Sequence, residues 1–211
     1  MVIIDILSEI FMQISWSGFG SFRLQENSTT IQFDPVEEGS NFKLRKSTVS
    51  ALTLSHPRTK EDLATVGPEA FVIDCPGEYE VQGIFIQGIA YNVHHTAYLI
   101  TMGDISVAWL GPINNEEVSD QVLEAIEGAD ILLIPVGGGK VLSAKQAVSV
   151  INKVEPRIVI PAYYKLPIAK GFDDLAGFIK EYGAAQETTD KFKVSKKDLQ
   201  MEDTKVIVIK P

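Results

Sequence analysis

Leu54-Ser55-His56-Pro57-Arg58-Thr59-Lys60-Glu61-Asp62 follows directly on Val49-Ser50-Ala51-Leu52-Thr53, a short apolar and β-branched run. The run reads as a buried strand, and the polar stretch after it as a loop at the strand's end. A rigid sheet positions such loops, so they carry chemistry more often than the strands do. This one gathers an imidazole, His56, two cations, Arg58 and Lys60, and two carboxylates, Glu61 and Asp62. The pattern is that of a metal-binding loop in which most of the ligands have been replaced.

Upstream, Ile14-Ser15-Trp16, Ser21-Phe22-Arg23-Leu24 and Thr29-Thr30-Ile31-Gln32-Phe33 are separated by Gly- and Asn-bearing turns and read as an antiparallel meander. Val36 to Ser47 is a polar connection. Downstream, Phe71-Val72-Ile73 is a short strand, Gly77 to Ile89 reads as two strands turning near Gly83, and Tyr91–Thr101 pairs with Ile105–Leu110 through a turn at Gly103-Asp104. The second half alternates helix and strand. Asn114 or Asn115 is placed to cap a helix that opens with Glu116-Glu117, Ser143 to cap a second, and Asp173 or Asp174 to cap a third that Gly183 ends. Asp130 to Pro135, Arg157 to Pro161 and Lys205 to Ile209 read as buried strands between and after them. Antiparallel strands followed by a β-α alternation predict two mixed sheets packed face to face with helices outside, an α/β class. Strand ends from both sheets then meet at one site.

Composition limits what such a domain does. With 211 residues, 45% of them hydrophobic, one sizeable core fits. A net charge of −9 argues against nucleic acid as a partner, and no run approaches the ~18 apolar residues of a membrane span. The single cysteine, Cys75, forms no internal disulfide, which suits a cytoplasmic location; it reads as a buried small hydrophobe. Residues 1–11 are an apolar N-terminal extension, read as packing on the domain or on another subunit and not as a signal peptide, and residues 12–211 are one domain.

Several stretches, taken in order, resemble one family. They are Ile14-Ser15-Trp16-Ser17-Gly18-Phe19-Gly20, Phe33-Asp34-Pro35, Leu54-Ser55-His56-Pro57, Pro76-Gly77-Glu78-Tyr79-Glu80 and Leu132-Leu133-Ile134-Pro135-Val136-Gly137-Gly138, continued by Ile158 to Tyr164 and Lys196 to Leu199. From about Gln13 onward the chain is similar to the metallo-β-lactamase superfamily, in its UlaG-like branch of zinc-dependent hydrolases. The resemblance implies a four-layer αβ/βα sandwich. It also implies a metal site built on His-x-His-x-Asp-His, and there the chain departs. His56-Pro57-Arg58-Thr59-Lys60-Glu61 keeps only the first histidine. Arg58 and Lys60 are cations that do not coordinate zinc, and Glu61 stands in place of a histidine. Pro112, in Trp109-Leu110-Gly111-Pro112, stands where the family has its bridging aspartate, and Tyr163 where it has its last histidine. His94 or His95 is the replacement on offer for a further ligand, although neighbours on a strand face opposite ways.

The expectation is therefore a non-catalytic, metal-free protein of this fold, acting by binding or assembly, with no cofactor and a homo-oligomer as one partnership. The first alternative is a metal-dependent hydrolase of a phosphoester, lactone or amide, with zinc on a remodelled mononuclear site drawn from His56, Glu61, His94 and His95. The second is a small-anion binder using Arg58 and Lys60. Against it stands an internal ion-pair cluster of those cations with Glu61, Asp62, Glu78 or Asp34. Gly137-Gly138-Gly139-Lys140 lacks the phosphate-loop spacing and reads as a strand-to-helix turn. Tyr163 reads as a packed aromatic.

Overall fold

Alternation organises the first sheet. In β1 (Met12–Trp16) and β2 (Phe22–Glu26) every second residue is buried, so Met12, Ile14, Trp16, Phe22 and Leu24 face inward. Asn27 takes the left-handed conformation (φ 51°) that a tight turn to β3 (Thr29–Phe33) needs. The computed structural model describes residues 11–36, 40, 42, 48–114, 118–184, 186–201 and 203–211. The extension expected over residues 1–11 therefore lies outside the described residues except for Phe11, as does most of the connection from Val36 to Ser47. β4 (Ala51–Thr53) and β5 (Phe71–Ile73) add in parallel after β3, and β13 (Phe192–Val194) returns from far along the chain to pair antiparallel with β1. The six-stranded order is β13-β1-β2-β3-β4-β5.

The second sheet has eight strands. β6 (Gly77–Val81), β7 (Ile84–Asn92), β8 (His95–Met102) and β9 (Ile105–Trp109) form an antiparallel run. β10 (Ile131–Pro135), β11 (Ile158–Ala162), β14 (Lys205–Ile209) and β12 (Gln186–Thr189) continue it in parallel. Every residue of β10 and β11 is buried, as strands covered on both faces must be. The cover is α2 (Asp120–Ile126), α3 (Ala144–Val154) and α4 (Leu175–Tyr182). Ser143 opens α3 with a capping box to Gln146, and Gly183 closes α4 at φ 75°. On the other sheet the described helical cover is α1 (Lys60–Leu63), opened by a Thr59–Asp62 capping box. The two inner faces meet around Trp109, Tyr98, Phe22 and Phe33, all fully buried. The architecture is the predicted sandwich of two mixed sheets flanked by helices. No described helix is long and apolar enough to cross a membrane.

Three local readings change. α2 starts after Ser119, whose hydroxyl accepts from Val122 N–H, and not at Asn114 or Asn115; residues 115–117 lie outside the described residues. The strand expected from Tyr91 is divided: Tyr91 and Asn92 end β7, Val93 and His94 turn, and His95 begins β8. A register shift between Ala90 and Asn92 bulges the ladder at Tyr91. Cys75 is exposed and not buried, because the link from β5 to β6 runs along the outer flank of the sandwich. Its thiol points at Asp74, whose carboxylate pushes the thiol pKa up.

Candidate functional site

The ends of β3, β4, β9, β10 and β11 converge on one edge of the sandwich, and a carboxylate lies at the centre. Asp34 follows β3 in a left-handed conformation (φ 42°) that turns its side chain under the sheet ends. It is fully buried, and its oxygens are engaged from the ends of two other strands, β4 and β9. Ser55 donates its N–H to Oδ1 (2.9 Å) and its hydroxyl to Oδ2 (2.6 Å). Trp109 Nε1, 75 residues away in sequence, donates to Oδ2 at 2.9 Å. Arg58 brings its guanidinium to 3.6 Å from Oδ1, and only 3% of that side chain is exposed. A buried carboxylate is tolerable only when paired and hydrogen-bonded, and both conditions hold.

Two histidines stand above this hub. His56 Nδ1 lies 2.9 Å from Ser55 Oγ and 3.9 Å from Asp34 Oδ1. Since the hydroxyl gives its one proton to Asp34, it can only accept from His56, which fixes the imidazole proton on Nδ1. His95 is held by Asn92, whose amide lies against Nδ1 with oxygen at 2.9 Å and nitrogen at 2.7 Å, and by Tyr91, whose ring stacks on it at 5.5 Å and 4°. The bulge in β7 is what brings Tyr91 to this position. The two imidazole rings are 6.2 Å apart. Behind them Tyr98 donates to the carbonyls of Leu54 (3.0 Å) and Ile73 (3.1 Å); burial first, and then the Asp34 charge, push its phenol pKa well above the ordinary range.

Above the histidines opens a cleft of about 430 Å³. His56, His95, Pro112, Asn114, Lys140 and Tyr163 line it, with Phe19, Val141 and Phe172 as apolar wall. Phe19, Tyr163 and Phe172 pack on one another at 5.7–5.9 Å, and Tyr163 stacks on Trp109 at 6.3 Å and 7°. Glycine is required where backbones meet below this wall. A Cβ on Gly137 would overlap the Tyr163 carbonyl oxygen, and one on Gly111 would lie 2.8 Å from Ser55 Cβ. Six described residues other than glycine have positive φ. Asn27, Gln82 and Glu155 serve tight turns or a helix end, but Phe19 (48°) and Tyr163 (51°) line this cleft and Asp34 lies beneath it. Strain held in this way gathers at functional sites.

His56, His95, Pro112 and Tyr163 thus share one cleft, with Arg58 beneath it on Asp34. Lys60 and Glu61 stand exposed on α1 and do not line the cleft, and His94 is exposed in the β7–β8 turn. The ion-pair cluster expected for Arg58 is present on Asp34, one of the partners named for it. The central place of Asp34, and the parts of Ser55, Trp109, Asn114 and Lys140, escaped the sequence reading of the site.

This donor set does not fit zinc. Catalytic zinc takes about three protein ligands. The cleft offers two imidazoles, the nearest carboxylate already has its oxygens on Ser55, Trp109 and Arg58, and a guanidinium would repel the ion from that side. Among the described residues no group of three or more histidines, cysteines or carboxylates is placed to hold a metal.

Comparison with known proteins agrees with the fold. The sequence profile described as the β-lactamase superfamily domain matches residues 13–163. A UPF0173 protein of Pyrococcus abyssi is 24% identical over 181 residues, covering 72% of this chain and 83% of its own. A Thermotoga maritima protein, provisionally described as a zinc-dependent hydrolase of the metallo-β-lactamase superfamily, superposes with a TM-score of 0.80 at 26% identity, covering 94% of this chain and 98% of that one. The metallo-β-lactamase fold protein YhfI of Bacillus subtilis shares the fold alone, with a TM-score of 0.64 at 11% identity over 95% of this chain and 97% of its own.

Proposed function

The chain belongs to the β-lactamase superfamily, and from that premise we propose that it is a non-catalytic, metal-free member that works by binding or assembly. The observation that carries this reading is the Arg58–Asp34 pair. Metal-dependent hydrolases need positive charge at the strand ends to lower the pKa of a bound water. Here a guanidinium, buried and 3.6 Å from the carboxylate, supplies positive charge without an open coordination position or a water to activate. The cleft above it keeps its strained walls and two oriented imidazoles, so a shaped pocket persists without the reaction.

Metal content per folded chain is the test, on tag-free protein purified with zinc and manganese in the buffer. A value near zero is expected. A value near one that His56→Ala abolishes would overturn the reading and leave a mononuclear hydrolase of phosphoesters, lactones or amides in its place. Light scattering on the full chain measures the assembly half; a strict monomer would confine the reading to ligand binding.

A further inference from the structure

One feature of the cleft points to its ligand. The chain carries 28 acidic residues against 19 basic ones, yet among the described residues none of the side chains that line the cleft is a carboxylate. His95, Asn114, Lys140 and Tyr163 can all donate there, and His56, whose Nδ1 proton faces Ser55, donates into the cleft from Nε2 only as the imidazolium. The charge beneath is already balanced, since Asp34 is paired with Arg58. Asp173, exposed next to Phe172, is the acid beside the rim. We infer that the cleft takes a small oxyanion, a phosphate monoester or a carboxylate, with His56, His95 and Lys140 around its charge and an apolar body against Phe19 and Phe172. This inference rests on the metal-free reading.

The dimensions agree. The imidazole centres are 6.2 Å apart, close enough for hydrogen bonds of about 2.8 Å to converge from one side on a single head group. Both rings are already oriented, His56 by Ser55 and His95 by Asn92 and Tyr91, so ordering them costs the ligand little. A volume of about 430 Å³ lies toward the small end of ligand pockets and has room for a single ring with its charged group. The packed Phe19–Tyr163–Phe172 wall offers a face on which a planar body can lie.

The experiment is calorimetric titration of the full chain, in EDTA, with phenyl phosphate, benzoate and inorganic phosphate. Phenyl phosphate or benzoate is expected to bind saturably and more tightly than inorganic phosphate, and whichever of the two is tighter identifies the head group. His95→Ala and Lys140→Ala are each expected to weaken that binding by about tenfold, the loss of one charge-assisted hydrogen bond. Lys60→Ala, outside the cleft, is expected to leave it unchanged. No heat from any probe, or weakening by Lys60→Ala in place of Lys140→Ala, overturns the inference while a metal content near zero leaves the metal-free reading standing. Binding that appears only when zinc replaces EDTA overturns both.

Discussion

Two carboxylates at opposite ends of the sandwich are held in the same way by different partners. Asp34 lies at the carboxyl ends of the parallel strands and Asp130 just before β10, at their amino ends. Each is bound by both the N–H and the hydroxyl of one serine, Ser55 for Asp34 and Ser106 for Asp130. Each also meets one cation, Arg58 in the first case and Lys196, 3.0 Å from both oxygens, in the second. The difference is solvent. Asp34 and Arg58 are buried, whereas 52% of the Lys196 side chain is exposed. A flexible ammonium in water staples β13 and the 3-10 turn after it to the second sheet, and could be exchanged at little cost. A planar guanidinium sealed under a cleft has no such freedom, because its removal would leave a buried carboxylate without its cation. The same local chemistry is therefore scaffolding at one end and the floor of a cleft at the other.

The sharpest way to break this contrast is to remove each cation in turn. Arg58→Ala strands a buried carboxylate and is expected to cost about 3–5 kcal/mol in urea unfolding. An effect below about 1 kcal/mol would mean that Asp34 is solvated and the two ends are alike.

Alkaline titration is the next largest lever and acts on the Asp34 end. Burial pushes Tyr164 up to about 12, and burial with the Asp34 charge raises Tyr98 as well. Below the ordinary phenol value both folded and unfolded chains hold the proton, so stability is complete. Above about 10 the unfolded chain loses it first, and stability falls as pH rises through the folded values, by on the order of a few kcal/mol. Absorbance of ionised tyrosine should lag behind that of the urea-unfolded chain; coincident curves would refute the burial.

Trp109→Phe keeps the ring but withdraws the Nε1–H from Asp34, for an expected loss of about 1–3 kcal/mol. Lys196→Ala, the counterpart at the far end, is expected to cost about 0–1 kcal/mol and to shrink further in high salt. The smallest effect is acidic. Asp198, which caps the turn carrying Lys196, has its pKa lowered by the N–H and then the hydroxyl of Ser195. Its contribution is present above the ordinary carboxylate range and is lost as pH falls through the folded value. In Asp198→Asn stability should drop slightly above the carboxylate range and converge with the parent's at low pH, so that the acid limb of the profile flattens.

The ends also differ in how legible they were. Period-two burial in β1 and β2, the buried runs of β10 and β11 and the Ser143 cap follow from local sequence, and the sheets follow with them. β12 and β13 did not, because β12 is polar and mostly exposed, β13 has only three residues, and both gain strand geometry only from distant partners. At the site, the motif around His56 supplied one imidazole and Arg58. The rest of the site depends on contacts across the fold. Trp109 reaches Asp34 through the sandwich, and His95 reaches His56 only because a one-residue bulge at Tyr91 resets the hairpin. The Thr59–Asp62 capping box was in plain view, but its residues were weighed as ligands and not as the start of a helix.

β13 has a kinetic consequence. Met12, Gln13 and Ile14, among the first described residues, pair with Val194, Lys193 and Phe192. A pairing that spans almost the whole chain raises the contact order and must wait for a long loop to close. On the ribosome, β1 to β3 can assemble early, but the flank of β1 presents open amide and carbonyl groups until the last segments emerge. Completion of the molecule is thus gated by its tail, and a stalled or shortened nascent chain would expose a strand edge that invites aggregation.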